Sequence, residues 1–218
     1  MKTRTLFVCL SLALFALALG TGCRNRPPAT TMDQGISLGV APFTQPRGPE
    51  DLLGGYLPDT PEAIKTMTLG ELDVALADYL RTNNRPFKSS EQIGSCVLST
   101  KDQKDENAET RHMALNKWVR VGKCASVDFL LVPQVLYWKE RQGGAAGAVE
   151  PASVILDLYV VDVRNHSVAG CFRFNETQVS LTDNLLTMPK FMARGGKWLT
   201  ALELAQSGIA EGMKRLGL

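Results

Sequence analysis

Three neighbouring stretches, SVDFLLVPQVLYWKER (126–141), ASVILDLYVVDV (152–163) and SVAGCFRFNETQVSL (167–181), decide how this chain folds. Each is rich in β-branched and aromatic residues. The first two are separated by the small-residue tip RQGGAAGAVEP (141–151) and the last two by a turn at Asn165 and His166, so the set reads as an antiparallel meander. In the third stretch Val168, Gly170, Phe172 and Phe174 point one way and Arg173, Asn175 and Thr177 the other, the alternation of a strand buried on one face. The second is apolar on both faces and is expected in the middle. Pro133 cannot donate to a ladder, so the first strand is expected to carry a bulge or an exposed edge.

Working outward, ISLGVAPF (36–43) reads as a first strand that Pro42 ends. A long proline-containing segment, TQPRGPEDLLGGYLPDTPEAIKTM (44–67), follows. Thr68 and Glu71 fit a capping box, and Leu69, Leu72, Leu76, Tyr79 and Leu80 recur at helical spacing, predicting a helix over 68–82. A short strand is expected within RPFKSSEQIGSCVLS (85–99). A second helix is expected after the charged run 100–112, ending near Gly122 with Leu115, Trp118 and Val119 inward. Beyond the meander, 182–196 suggests a short helix interrupted near Pro189 and capped by Gly195 and Gly196. Thr200 and Glu203 then open a final helix, with Leu202, Ala205, Ile209, Met213 and Leu216 on one side. The order β-α-β-α-β-β-β-α-α predicts an α+β domain, a mixed and partly antiparallel sheet with helices packed on it.

The first residues carry a different message. Lys2 and Arg4 precede a 14-residue segment, Leu6 to Leu19, that holds no charge. As a helix it would cover roughly 21 Å against about 30 Å of hydrocarbon, too short for a span and suited to an export signal. Gly20, Thr21 and Gly22 then lead to Cys23, so cleavage after Gly22 and lipidation of Cys23 are expected; the usual leucine three residues before the cysteine is replaced by Gly20. An ordinary signal-peptidase cut after Gly20 is the alternative. Acyl chains contribute about 0.8 kcal/mol per buried CH₂, and more than one chain makes attachment permanent. Arg24 follows the cysteine where retention signals of enteric lipoproteins carry Asp, which favours the outer membrane, facing the periplasm. Residues 23–35 read as lipidated cysteine and tether, a polar segment whose twelve residues after Cys23 span only about 20 Å. Residues 36–218 form a single domain by this reading.

The chain carries 24 Lys plus Arg and 22 Asp plus Glu; removing residues 1–22 takes away only Lys2 and Arg4 and leaves an even balance. Nothing in this balance argues for a nucleic-acid partner or an acidic lipid surface. Of five cysteines, Cys9 leaves with the signal and Cys23 carries lipid, so Cys96, Cys124 and Cys171 remain for an oxidising compartment. Cys96 with Cys124 is the expected pair, although spacing alone does not settle connectivity.

Catalytic patterns are absent. The two histidines, His112 and His166, have no ligand-like neighbours, and there is no G-x-S-x-G elbow, no Cys-His signature and no H-E-x-x-H, so no catalytic residue, metal site or cofactor is expected. ARGGKWLT (193–200) lacks the first glycine of a phosphate loop, and Asp157 and Asp162, five apart on one strand, point to opposite faces and form no dyad. Gly208 and Gly212 read as close packing of the last helix on the sheet. Surface remains: Leu52, Leu53, Tyr56 and Leu57 lie in the long segment without any periodicity, as partner contacts or as core cover.

The signal with its cysteine, LGVAPF (38–43), FLLVPQVLYWKER (129–141), PASVILDLYVVDV (151–163), NETQVSL (175–181) and GGKWLTALELAQSGI (195–209) resemble a group of small bacterial envelope lipoproteins. Their folded part is similar to the N-terminal domain of TolB and the periplasmic domain of the curli secretion lipoprotein. The resemblance implies a helix-flanked mixed sheet that holds other envelope proteins without enzymatic activity. Barrel formation as in the curli protein is disfavoured, because GGAAGAVE (143–150) is too short for strands of about 9 to 11 residues in lipid. Wall-synthase activators use a longer tether than this one. A small-ligand binder of the periplasm, or an accessory factor of envelope secretion or cell-wall assembly, are the alternatives.

Overall fold

A computed structural model describes residues 35–58, 63–100, 110–145, 147–178 and 196–218. The signal, Cys23, the tether up to Gln34 and the short helix expected within 182–196 fall outside the described residues, apart from Gly196. The order is β1 (Leu38–Val40), α1 (Thr66–Thr82), α2 (Ser90–Thr100), α3 (Thr110–Cys124), β2 (Phe129–Lys139), β3 (Gln142–Gly143), β4 (Ala148–Glu150), β5 (Ser153–Asp162), β6 (Ser167–Thr177) and α4 (Ala201–Leu216). The fold is α+β. Four strands lie in the order β1-β2-β5-β6, with β1 parallel to β2 and the others antiparallel, while β3 and β4 form a separate ribbon at the hairpin tip.

β5 is central, as its apolar faces require, and each face meets a pair of helices. Against one face pack α1, through Leu72, Leu76 and Leu80, and α4, through Leu204, Ala205, Ile209, Met213 and Leu216. They cover Leu131, Val135, Leu156, Leu158, Val160, Phe172 and Phe174. α4 needs its glycines for this: a Cβ on Gly208 would stand 2.6 Å from the Phe174 ring, and one on Gly212 2.4 Å from Leu158 Cδ1. The predicted capping box at its start is formed, Thr200 Oγ1 accepting from the Glu203 N–H and Glu203 from that of Thr200. Against the other face pack α2 and α3, through Ile93, Cys96, Trp118, Val119 and Val121, over Leu130, Val132, Tyr159, Val161 and Cys171.

Three local expectations are corrected. The segment expected to hold a weak strand is mostly helix α2; only Lys88 touches the sheet, bridging to Gly39. α2 is signalled by a reciprocal contact at its start, Ser89 N–H donating to Gln92 Oε1 at 2.8 Å and Ser89 Oγ accepting from the Gln92 N–H at 3.5 Å. α1 starts two residues before Thr68, so Thr68 is inside the helix and the cap position is Lys65, which makes no side-chain cap. The bulge expected in the strand that carries Pro133 is present, between Val135 and Tyr137. Pro133 sits where the β1 ladder is interrupted: Ala41 N–H donates to Leu131, Thr44 N–H to Pro133 itself, and the missing donor falls between them. A register shift between Val160 and Val161 also moves Val168 off the side shared by Gly170, Phe172 and Phe174, leaving it 37% exposed.

Candidate functional site

The long segment after β1 lies as a strap across the face that α2 and α3 cover only in part. It leaves β1 with three fixed points: Phe43 N–H donates to Asp73 Oδ1 at 2.7 Å, Thr44 exchanges backbone bonds with Pro133 and Val135, and Gln45 Oε1 accepts from Ile64 N–H at 2.9 Å. A 3₁₀ turn at Pro49–Asp51 follows. Burial without much partnering raises the Asp73 carboxyl to about 6, opposed by the Phe43 N–H.

Beneath the strap a polar row crosses three strands. Gln134 on β2, Asp157 on β5 and Arg173 on β6 are cross-strand neighbours in register, so the pleat puts all three on one face. Asp157 is fully buried, and Arg173 grips it with two bonds, Nε to Oδ1 at 2.7 Å and Nη2 to Oδ2 at 2.6 Å. Such forked guanidinium–carboxylate pairs fix geometry as well as charge. Tyr159 Oη lies 2.9 Å from Asp157 Oδ2 and 3.0 Å from the Gly54 carbonyl oxygen, two acceptors for one hydroxyl proton. Gln134 Nε2 donates to the Asp51 carbonyl at 2.7 Å. The strap is therefore held down by the sheet's own polar side chains.

One residue is held up. The Arg173 guanidinium carbon stands 5.3 Å from the centre of the Tyr56 ring, and Gly55, at φ +79°, brings the backbone so near that a Cβ there would lie 2.3 Å from Arg173 Nη2. Tyr56 is nonetheless 66% exposed. On the same face Tyr137, Ile155 and Asn175 continue away from the helices, the first two half-buried and Asn175 exposed.

The four strap residues thus divide. Leu52 is buried and Leu53 packs against the core of this face, so both are core cover; Tyr56 is solvent-facing and Leu57 half-buried beside it. Cys96 and Cys124 are bonded as a disulfide between α2 and α3, and Cys171 is buried in β6. Cys23 lies outside the described residues. Asp157 and Arg173 are the residues sequence reading missed: Asp157 read only as forming no dyad with Asp162, and Arg173 as facing away from the buried side of its strand. The bulge between Val160 and Val161 sets the register that pairs them, and alignment about the Asn165 turn alone misses it by one residue. Beside the strap, a groove of about 330 Å³ is lined by Thr44, Arg47, Asp51, Lys117, Trp118 and Gln134; Gln134 Oε1 is buried there without a hydrogen-bond donor among the described residues. Among the described residues no helix is long and apolar enough to cross a membrane, and no three metal-ligating side chains gather.

No protein-family model matches the chain, and no curated protein does. Solved structures with a similar course include the PelC dodecamer from Paraburkholderia phytofirmans, 14% identical over 89% of this chain and 95% of that one at TM-score 0.47. The LpoB C-terminal domain from Escherichia coli is 14% identical over 69% and 87% at 0.38. Lipoprotein GNA1162 from Neisseria meningitidis is 14% identical over 74% and 96% at 0.40. In each case the likeness is distant and of fold alone, and no residue or role is carried across from it.

Proposed function

We propose that this chain is a non-enzymatic lipoprotein of a bacterial envelope, fastened through Cys23 to the periplasmic side of the outer membrane, whose domain holds another envelope protein. Tyr56 and Leu57, with the adjoining end of the sheet around Tyr137 and Ile155, form the contact surface. The observation that carries this reading is an aromatic ring 66% exposed yet backed by a buried ion pair. A loop that only covered the core would turn its tyrosine in. Aromatic anchors presented without loss of conformational freedom are what protein interfaces use. The test replaces Tyr56 with a photo-crosslinking residue in intact cells, with exposed Val74 on α1 as control. A discrete protein adduct from position 56 and none from 74 is expected; no adduct from 56, or the same from both, contradicts the reading.

A second reading, a binder of a small periplasmic ligand, draws on the groove beside the strap. Gln134 Oε1 is a buried acceptor in want of a donor there, near Arg47 and Lys117. A ligand would need both a donor and an anionic group. Screening such compounds for a rise in Tm that Gln134→Leu abolishes tests it, and the absence of any such compound among peptides and amino-acid derivatives counts against it.

A further inference from the structure

The described chain begins at Gly35, beside Ser37, whose N–H and hydroxyl bond Asp128 at the entry to β2. Everything at that end of the sheet can be placed from the topology. β5 ends and β6 begins there, at the Arg164–His166 turn. α1 ends there, because Lys88 six residues later pairs with Leu38 and Val40. α3 ends there, five residues before β2 begins. α4 runs towards it, since Gly208 packs on Phe174 and Gly212 on Phe172, nearer the start of β6.

Three helix C-termini therefore meet the point where the tether leaves, and they bring their basic last turns: Arg81 from α1, Lys123 from α3, Lys214 and Arg215 from α4. With Lys88 and Arg164 this makes six exposed cations at one end. Exposed acids there are Asp78, Glu91 and Glu211; Asp128 and Asp162 are half-buried, Asp128 bonding Ser37 and Arg164, Asp162 bonding Asn165. Arg81 is paired with Asp78 and Arg215 stands 3.9 Å from Glu211. Lys123 and Lys214 carry no ion pair among the described residues, and the Lys88 ammonium bonds only the Ala125 and Ser126 carbonyls. A groove of about 340 Å³ opens between Ile36, Leu38, Pro86 and Phe87 with Lys88 on its rim, and Arg81 stands 6.0 Å from the Phe87 ring. The opposite end interleaves Glu140, Glu150 and Glu176 with Lys139 and Arg141. Among the exposed groups at the tether end, six cations thus face three acids under an even overall charge.

We infer that this end docks on an anionic phospholipid surface, with lysines and Arg164 at the phosphates and the Ile36–Phe87 groove at the headgroup boundary. The inference rests on the lipid-anchor reading for its geometry: a tether spanning about 20 Å keeps this end, and no other, within reach of the leaflet. The strands, about 36 Å long at eleven residues, then stand the β3–β4 ribbon away from the lipid. Attraction of this kind acts only within a Debye length of about 10 Å, and a tether of about 20 Å lets this end come that close.

The experiment places a fluorophore on Ser167→Cys at the tether end or on Val149→Cys in the ribbon, in the full lipidated chain, on vesicles carrying headgroup-nitroxide lipid. The native thiol of Cys171 is buried, so the introduced cysteine is the reactive one. In equal parts phosphatidylcholine and phosphatidylglycerol, quenching at 167 should exceed that at 149 several-fold. The ratio should fall towards one in phosphatidylcholine alone, and also for Lys88→Gln/Lys123→Gln/Lys214→Gln, which keeps a hydrogen-bond donor at each position, in a chain still folded at the assay temperature. Equal quenching at the two sites on anionic vesicles, or a ratio blind to lipid charge and to the triple change, overturns the inference. A chain that does not float with any vesicle breaks the anchor reading instead. The Cys23→Ala chain then decides: quenching at 167 that requires phosphatidylglycerol upholds docking, and none overturns it.

Discussion

The two faces of the sheet are held by different physics. The face under α1 and α4 is a dry, interdigitated layer in which glycines let the helix sink onto Phe172 and Phe174. The other carries helices over one half and, over the rest, a strap fastened by Asp157, Arg173, Tyr159 and Gln134. Hydrophobic burial is nondirectional and tolerates adjustment, whereas a desolvated ion pair binds in one geometry and is expensive to leave half-made. The larger share of the buried apolar residues lies on the first face. Placement of an exposed side chain is the business of the second.

That contrast is broken most severely by truncating the dry face. Phe172→Ala should destabilise by about 3 to 5 kcal/mol in denaturant melts and leave a strap of normal geometry in the folded fraction. Arg173→Ala, which strands the buried Asp157 charge, should cost a similar 3 to 5 kcal/mol, but the double change Asp157→Leu/Arg173→Met should restore most of it while freeing Tyr56. A double variant as unstable as the single one would show that the pair holds the fold itself. Removing the α2–α3 disulfide by Cys96→Ala/Cys124→Ala, across a sequence separation of 28, should cost roughly 3 kcal/mol and alter only this second face, read by hydrogen exchange in α2. Thr200→Ala should cost about 1 kcal/mol by loss of the α4 cap.

A further effect is one of pH. Asp73, at the base of the strap, has its folded pKa raised from 3.8 to about 6, so the folded state binds this proton more tightly than the unfolded chain does. The stabilisation it adds is complete below about pH 4 and is lost as pH rises through 6. Asp128 and Glu203 act oppositely: hydrogen bonds from Ser37 and from Thr200 lower their pKa values, so their support is present above the ordinary carboxylate range and is lost in acid. Asp73→Asn should therefore flatten the part of the Tm profile between pH 4 and 6 that falls with pH. An unchanged profile would remove Asp73 from the account.

The meander and the outer helices were legible because alternation and helical spacing report burial, and β5, buried on both sides, announced its central place. α2 was not, because its 11 residues offer only about three turns of helical period, and its start at Ser89 and Gln92 is a signal of four residues. The strap's dual character was hidden for another reason. Leu52, Leu53, Tyr56 and Leu57 share a composition, and what separates core cover from exposed ring is the contact with Arg173, more than a hundred residues away. Asp157 and Arg173 each read as ordinary strand residues until register brought them together.

Crosslinking in membranes from position 56, in the natural chain and in Asp157→Leu/Arg173→Met with matched thermal stability, tests the central claim most directly. A discrete protein adduct in the first that is lost in the second is the predicted result. An adduct that survives the double change would contradict the claim that the ion pair presents the ring, and no adduct in either would contradict the contact surface itself.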